Sequence, residues 1–203
     1  MTALSAQPVI LASASRTRRL MLENAGLEVV AQPARVDEEE VKLSLKAAGM
    51  KPEEVAEALA ELKAARVAAK VRDVHVIGAD QMLECGGDWF DKPVDRAGAA
   101  DQLRRLSGRT HRLISAAVVF HNGARIWHGI DHATLTMRPL TDAFIERYLD
   151  AVGDAALASV GGYQLEGPGA QLFTKVTGDF FTILGLPLLP LLGFLRGRGV
   201  VPA

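Results

Sequence analysis

The chain has 203 residues, 49% hydrophobic and 23% charged, a balance typical of a folded globular protein and not of a disordered one. This length fits one domain or two small lobes. A formal net charge of -1 excludes a global basic field for nucleic acid, so any anion site must be local. The one cysteine, Cys85, excludes an intramolecular disulfide and a cysteine zinc cluster, and it favours a reducing, cytoplasmic setting.

Predicted strands and helices alternate along the chain. In chain order they are a strand at 9–12, a helix at 17–24, a strand at 27–31, a helix from 52 to about 71 and a strand at 74–80, then a hairpin across Gly86-Gly87, a helix at 95–106, a second hairpin around Asn122-Gly123, a helix at 141–149, a strand at 171–176 and a leucine-rich helix. The order predicts an α/β fold, with a mixed, partly antiparallel twisted sheet flanked by helices. We expect a single domain over 1–203.

No targeting or membrane segment is predicted from the N-terminus or from the apolar stretch near the C-terminus. The N-terminus MTALSAQPVILAS has no basic n-region, so a signal peptide is not expected. The apolar stretch 180–195 is shorter than the about 20 residues of a membrane span. It also contains Pro187 and Pro190, so we expect it to belong to the core.

The stretch VILASASRTRRLML allows two interpretations. Ser13 and Ser15 follow an apolar strand and precede a basic run that includes Arg18. In one interpretation the serines cap the next helix and the arginines line its solvated face. In the other, the hydroxyls and guanidinium groups bind phosphate at a helix N-terminus.

Asp80 ends the predicted strand 74–80 and follows Gly78 and Ala79, which are small enough to let another group approach closely. A carboxylate at such a position can hold Mg²⁺ or act as a general base. Taken alone, however, an aspartate there is more often a capping or turn residue.

Three other features are weaker candidates. Lys63 lies in a predicted helix, where lysines are usually solvated, whereas Lys92 precedes a proline that would stiffen its loop. Glu38 belongs to the acidic run 37–40, which fits a solvated face or loop as well as a metal ligand. The glycine-rich loop 161–169 could approach a ligand through its backbone amides.

Several common motifs are absent. The sequence contains no GxxxxGK[ST], no GxGxxG after the first strand, no HExxH and no GxSxG, and its five histidines show no metal-binding spacing. P-loop nucleotide hydrolysis and the other chemistries tied to these motifs are therefore not expected.

The order and spacing of the remaining motifs resemble the Maf family of nucleoside triphosphate pyrophosphatases, also called septum-formation inhibitor proteins. The resemblance runs from LASAS at Leu11 to GLPL at Gly185. It rests on SASRTR at 13–18, VDE at 36–38, ELKA at 61–64, GAD at 78–80, KP at 92–93, LSGRTH at 106–111, GGY at 161–163 and the final GLP.

The resemblance implies that the chain hydrolyses a nucleoside triphosphate between its α- and β-phosphates, giving a monophosphate and pyrophosphate. It implies two lobes around a cleft, a divalent cation (Mg²⁺, with Mn²⁺ or Co²⁺ as alternatives) and a homodimer, with no nucleic-acid or membrane partner. It also assigns roles to positions of this chain: phosphate binding by Ser13 and Arg18, catalytic positive charge on Lys63 and Lys92, a metal held by Glu38 and Asp80, and water activation by Asp80.

At two positions the sequence is similar to the branch of the family associated with 7-methyl-GTP. The dTTP/UTP branch, by contrast, tends to read GADT and YGIQG. The two positions are Gln81, after GAD, and Glu166, in YQLEG. A third position, Thr17, departs from the paired arginines of many relatives. The alternatives are a dTTP/UTP-directed enzyme, a nucleotide-binding regulator of cell division with little turnover, and a structural α/β domain.

Overall fold

A computed structural model describes residues 4–202. Its seven-stranded sheet has the order β2-β1-β3-β5-β6-β7, with β4 paired to β3. Strand β1 is parallel to β2 and β3, whereas β4 is antiparallel to β3 and β7 to β6. The predicted mixed α/β fold is therefore confirmed. The strands are β1 Val9–Leu11, β2 Val29–Ala31, β3 His75–Cys85, β4 Asp88–Phe90, β5 Thr110–His121, β6 Ala124–Met137 and β7 Phe173–Thr177.

Seven α-helices flank the strands within the described residues. They are α1 Arg16–Asn24, α2 Glu38–Ala47, α3 Pro52–Ala68, α4 Arg96–Leu106, α5 Asp142–Val152, α6 Phe180–Ile183 and α7 Leu188–Gly197. In this part of the chain no helix is both long enough and apolar enough to cross a membrane. The predicted apolar stretch 180–195 is divided between α6 and α7.

The described residues form two compact units. Unit 1 contains the described residues up to Gln81, Ser115–Asp131 and those from Gly185 onward, and unit 2 contains Met82–Ile114 and His132–Leu184. Strands β3, β5 and β6 contribute residues to both units.

In unit 1, the start and end of α1 follow from local signals in the sequence. Ser15 is the N-cap, and its hydroxyl accepts a hydrogen bond from the Arg18 amide at 3.3 Å. At the other end, the Gly26 amide bonds to the Glu23 carbonyl and the Leu27 amide to that of Leu22, which is a Schellman motif. Ser15 therefore caps this helix, as one of the two interpretations predicted.

The acidic run 37–40 begins a helix and is not a loop. Asp37 is the N-cap of α2 and accepts a hydrogen bond from the Glu40 amide at 3.1 Å. Three glutamates, at 38–40, form the first turn, where negative charge stabilises the helix dipole. This helix places Glu38 at its first position.

Asp80 lies in the middle of β3, and the prediction that it ends a strand is wrong. The strand begins at His75 and continues through the arm of the hairpin to Cys85, so the two predicted segments form one element. A buried carboxylate is tolerated inside a strand only when a partner neutralises it. For Asp80 that partner is Lys63, described below.

Unit 2 has its own hydrophobic core, and the predicted hairpin across Gly86-Gly87 belongs to it. β3 and β4 pair through Leu83 with Phe90 and Cys85 with Asp88. The largest fully buried side chains of its core cluster are Leu83, Leu103, Leu106, Leu113, Leu135 and Met137. The second predicted hairpin is also present, with Asn122 and Gly123 at φ 49° and 80°, both positive as a type I′ turn requires.

Candidate active site

Close packing of β3 on α3 brings two charged side chains of unit 1 together. A Cβ atom added at Gly78 would lie 2.0 Å from the Ala60 carbonyl oxygen and 2.8 Å from the Ala64 side chain. Only glycine allows the strand to approach the helix backbone this closely. Lys63 is adjacent to Ala64, and Asp80 is two residues after Gly78. The close packing therefore brings Lys63 and Asp80 within hydrogen-bonding distance of each other.

Lys63 bridges the two carboxylates that were predicted to hold a metal. Its Nζ donates to Asp80 Oδ1 at 2.6 Å and lies 2.8 Å from Glu38 Oε1. The side chains of Lys63 and Asp80 are 7% and 6% exposed, whereas that of Glu38 is 45% exposed. Lys63 is therefore a buried ion-pair partner and not the solvated helix lysine that its local pattern favoured.

Asp80 has one oxygen without a protein partner. Oδ1 is bonded to Lys63, but Oδ2 is buried and has no hydrogen-bond partner among residues 4–202. Buried polar atoms are nearly always satisfied, so a buried carboxylate oxygen without a protein partner is typical of a position that binds a ligand, an ion or water. Asp80 Oδ2 is thus the atom of this cluster best placed to accept a proton or hold a cation.

The charge of Lys63 acts on Glu38 as well. Partial burial alone would raise the pKa of Glu38, but attraction to Lys63 and the hydrogen bond from it, with smaller contributions from Lys42 and Arg18, hold that pKa below its ordinary value. Glu38 is therefore ionised at neutral pH, as a metal ligand must be.

Arg18 is a buried residue that joins three parts of unit 1. Its Nε donates to the Gly185 carbonyl at 2.7 Å, and Nη1 donates to the Ala79 carbonyl at 2.9 Å and to Ser13 Oγ at 3.2 Å. Burial lowers the pKa of Arg18, while the charges of Asp80 and Glu38 oppose that effect. Arg18, which was predicted to bind phosphate, therefore also positions the backbone beside Asp80.

Ser13 is 7% exposed and accepts two hydrogen bonds through its hydroxyl oxygen. The donors are Arg18 Nη1 at 3.2 Å and the Ser15 amide at 3.3 Å. Because the oxygen acts as an acceptor in both, the hydroxyl proton can be donated elsewhere. Ser13 lies just before the N-terminus of α1, where the helix dipole favours an anion.

Gln81 is held by a residue for which no role was predicted. Its Nε2 donates to the hydroxyl of Ser115 at 3.1 Å, and Ser115 is fully buried on β5. The signal that could have identified Ser115 is its position as a polar residue inside the apolar run LISAAVVF. A hydroxyl buried among apolar neighbours needs a partner, and here that partner is Gln81.

Lys92 and Glu166, the other two predicted site residues, belong to unit 2, and both are exposed. Lys92 directly precedes the buried Pro93, and Glu166 lies in a turn of the glycine-rich loop. Two residues before Glu166, Gln164 lines a largely apolar cavity of about 230 Å³. The loop therefore places a polar amide at the wall of a largely apolar cavity. The other lining residues are Tyr148, Ala151, Val152, Ala155, Ala156, Pro168 and Gly169.

A buried pair of polar rings anchors this loop in unit 2. His111 Nε2 and the Tyr163 hydroxyl lie 2.7 Å apart, and the Gly161 amide donates to Gln102 Oε1 at 3.0 Å. Burial raises the pKa of Tyr163 far above its ordinary value and lowers the pKa of His111 from 6.5 to about 4. Both rings are therefore uncharged at neutral pH. These residues lie in the LSGRTH and GGY motifs, yet neither motif predicted their contact.

The titration of His111 predicts how stability depends on pH. In the unfolded chain His111 takes up a proton near pH 6.5, whereas in the folded protein it does so only near pH 4. The unfolded state therefore binds more protons between these values, and up to about 3 kcal/mol of unfolding free energy is lost as the pH falls from 6.5 to 4. Substituting His111→Gln should remove this part of the pH dependence, as measured by urea unfolding at pH 7.5, 6 and 5.

The matched control for that experiment is His132→Gln, because His132 is an exposed histidine of the same unit. This variant should retain the wild-type slope. Parallel stability curves for wild type and His111→Gln would contradict the assignment of the slope to His111.

The cluster fits a divalent cation only in part. No group of three or more histidine, cysteine or acidic side chains in residues 4–202 is arranged to hold a metal. Mg²⁺, however, is commonly bound by one or two carboxylates together with water and substrate phosphates. Glu38 and the unpartnered Oδ2 of Asp80 fit that requirement. The same groups can accept a proton, while Lys63 and Ser13 can bind an anion.

Comparisons with known proteins agree with the motifs. The family model described as "Maf-like protein" matches residues 8–198. The 7-methyl-GTP pyrophosphatase of Rhizobium etli is 55% identical over 193 residues, which cover 95% of this chain and 97% of that protein. The nucleoside triphosphate pyrophosphatase of Paramagnetospirillum magneticum is 55% identical over 190 residues, with 94% and 98% covered.

Among solved structures, a nucleoside-triphosphatase / dITP/XTP pyrophosphatase from Mycobacterium abscessus aligns over 95% of this chain and 94% of its own. The identity is 13% and the TM-score 0.44, a similarity too low to support a conclusion. The family match, by contrast, spans almost the whole sequence, and the relatives share half of its residues. The chain belongs to the Maf family.

Proposed function

We propose that this protein is a nucleoside triphosphate pyrophosphatase that cleaves the bond between the α- and β-phosphates, with 7-methyl-GTP as a preferred substrate. The observation that carries the proposal is the buried cluster in which Lys63 bridges Asp80 and Glu38 while Asp80 Oδ2 has no partner within residues 4–202. A buried charged cluster with an unused acceptor oxygen is suited to proton transfer beside an anionic substrate.

In the proposed reaction, Asp80 Oδ2 accepts a proton from a water molecule. At the same time the water oxygen forms a bond to one of the two phosphorus atoms that the α–β bridging oxygen joins. The bond between that phosphorus atom and the bridging oxygen breaks, and its electron pair stays on the bridging oxygen of the departing group. The products are a monophosphate and pyrophosphate. Lys63, Ser13 and the N-terminus of α1 stabilise the negative charge that builds on the phosphate oxygens.

Glu38 and Asp80 would hold a divalent cation, for which we propose Mg²⁺, with Mn²⁺ or Co²⁺ as substitutes. Such an ion neutralises phosphate charge and helps to orient the substrate. A triphosphate carries about four negative charges, more than Lys63 and Arg18 can offset. We further propose that Lys92 supplies positive charge to the substrate.

The proposed base preference rests on Glu166 and on the names of the relatives. Methylation at N7 makes guanine cationic, and an exposed carboxylate such as Glu166 attracts a cation. Rhizobium proteins with 55% and 53% identity to this chain are named 7-methyl-GTP pyrophosphatases. Others of similar identity are named only as nucleoside triphosphate pyrophosphatases.

Changing Glu166→Gln should lower the preference for the methylated base. An exposed ion pair contributes up to about 1 kcal/mol, so the ratio of kcat/KM for 7-methyl-GTP to that for GTP should fall about fivefold. The measurement is a steady-state comparison of the two nucleotides on the same enzyme preparation.

Asp154→Asn provides the control, since it removes another exposed negative charge from the same unit. Its substrate ratio should stay at the wild-type value. If Glu166→Gln leaves the ratio unchanged, or if Asp154→Asn lowers it equally, Glu166 does not read the base.

The activity itself is tested by a panel of nucleoside triphosphates that includes 7-methyl-GTP, GTP, dTTP and UTP, each with Mg²⁺ or Mn²⁺. Pyrophosphate and orthophosphate are assayed separately. We expect pyrophosphate release, fastest with 7-methyl-GTP. Faster turnover of dTTP or UTP would reject the base preference but retain the reaction, and absence of turnover with every nucleotide would reject the enzyme.

A further inference from the structure

The position of the Lys63 ammonium group has a consequence for metal binding. Nζ lies 2.6 Å from Asp80 Oδ1 and 2.8 Å from Glu38 Oε1, so one cation already contacts both carboxylates of the proposed metal site. Lys63 is 7% exposed and projects from α3, whose packing on β3 fixes its position. It cannot leave as easily as a surface lysine, because burial among its neighbours restricts the side chain.

The charges of this cluster are balanced. The carboxylates of Glu38 and Asp80 supply two negative charges, and Lys63 with the buried Arg18 supplies two positive ones. The attraction of an isolated carboxylate pair for a divalent cation depends on its net negative charge. Here that attraction is largely cancelled by the protein's own cations.

We infer that Lys63 is the resident counterion of the Glu38–Asp80 pair and makes metal binding depend on the nucleotide. The divalent cation then binds tightly only together with the triphosphate, whose negative charges restore the attraction that Lys63 removes. This inference rests on the proposed function and adds the order in which metal and substrate bind.

The two oxygens of Asp80 support this arrangement. Lys63 occupies Oδ1, whereas Oδ2 is buried without a partner in the described residues. Because a carboxylate oxygen has two lone pairs, Asp80 can keep its bond to Lys63 and offer one lone pair of Oδ2 to a metal ion and the other to the proton of a water molecule. Lys63 tunes the affinity of the site without having to be expelled from it.

The test measures Mn²⁺ binding in the absence of nucleotide, by the electron paramagnetic resonance signal of free Mn²⁺. Lys63→Met keeps the length of the side chain and removes its charge. We expect this variant to bind Mn²⁺ at least about tenfold more tightly than the wild type, because an adjacent positive charge has been removed. Adding a non-hydrolysable triphosphate with a methylene bridge between the α- and β-phosphorus atoms should bring wild-type Mn²⁺ binding to a comparable affinity, after subtraction of the Mn²⁺ that the same analogue binds without protein.

Two further variants identify the source of any gain. Lys70→Met removes the same charge from an exposed lysine just beyond α3 and should bind Mn²⁺ as weakly as the wild type. The double variant Lys63→Met with Asp80→Asn should lose the gain, which places the bound Mn²⁺ at Asp80. A rise in the melting temperature of Lys63→Met with Mn²⁺, absent in the wild type, is a second readout of the same binding.

The inference is overturned if the wild type binds Mn²⁺ without nucleotide as tightly as Lys63→Met, or if Lys70→Met gains as much affinity. Should Lys63→Met fail to fold, Lys63→Gln replaces it under the same criteria. Because binding is read without turnover, an enzyme that releases pyrophosphate yet shows no gain in Lys63→Met would reject only the role of Lys63. Tighter Mn²⁺ binding by Lys63→Met, together with no pyrophosphate release from any nucleotide by the wild type, would reject only the proposed activity.

Discussion

Substituting Asp80→Asn should lower kcat by about 10³-fold while the protein remains folded, since loss of a general base typically costs 10² to 10⁴. The amide cannot accept a proton from water at Oδ2, and it is a poorer metal ligand than a carboxylate. It does keep an oxygen that can accept the hydrogen bond from Lys63 Nζ, now 2.6 Å from Oδ1. The measurement is pyrophosphate release under substrate saturation, together with a thermal unfolding curve.

Asp88→Asn is the matched control for this prediction, because the side chain of Asp88 is 57% exposed and pairs with Arg105 on the surface of unit 2. Its kcat should equal that of the wild type. A near-normal kcat in Asp80→Asn would exclude Asp80 as the base, and loss of the folded state would leave its catalytic role to be read from Asp80→Glu, which keeps the charge and moves the oxygens.

The second large effect concerns stability. Replacing Arg18→Met should lower the free energy of unfolding by about 3 kcal/mol, because hydrogen bonds to a charged donor are worth about 1.5–3 kcal/mol each and their acceptors are left buried. The carbonyls of Gly185 and Ala79 and the hydroxyl of Ser13 lose their donor together. Urea unfolding followed by circular dichroism measures the change.

Arg19→Met on the same helix separates this effect from a general loss of charge. The Arg19 side chain is 44% exposed and lies 3.6 Å from Glu23, so its removal should cost no more than about 0.5 kcal/mol. Equal destabilisation by the two substitutions would show that the buried hydrogen bonds of Arg18 contribute nothing specific.

The elements predicted correctly were those with a local cause. Ser15 caps α1 through a hydroxyl that reaches an amide three residues ahead, and Asn122-Gly123 forms a turn because both residues tolerate positive φ. The close approach expected at Gly78 is also present, and the group that approaches is the backbone of α3. Such features depend on a few consecutive residues, so a single sequence is enough to predict them.

Non-local contacts account for what the local pattern could not predict. Lys63 reads as a solvated helix residue until α3 packs on β3 and places Asp80 against it, 17 positions along the chain. Arg18 donates to a carbonyl 167 positions away, at Gly185, a distance in sequence over which no periodicity carries information. Ser115 likewise finds Gln81 only once β3 and β5 are neighbours in the sheet.

The most direct test of the proposed reaction is a ³¹P NMR time course of 7-methyl-GTP hydrolysis by the wild-type protein with Mg²⁺. We predict that pyrophosphate and monophosphate resonances grow together in equal amounts from the first spectrum. Initial growth of orthophosphate with a diphosphate would show cleavage at the terminal phosphate and would contradict the proposed function.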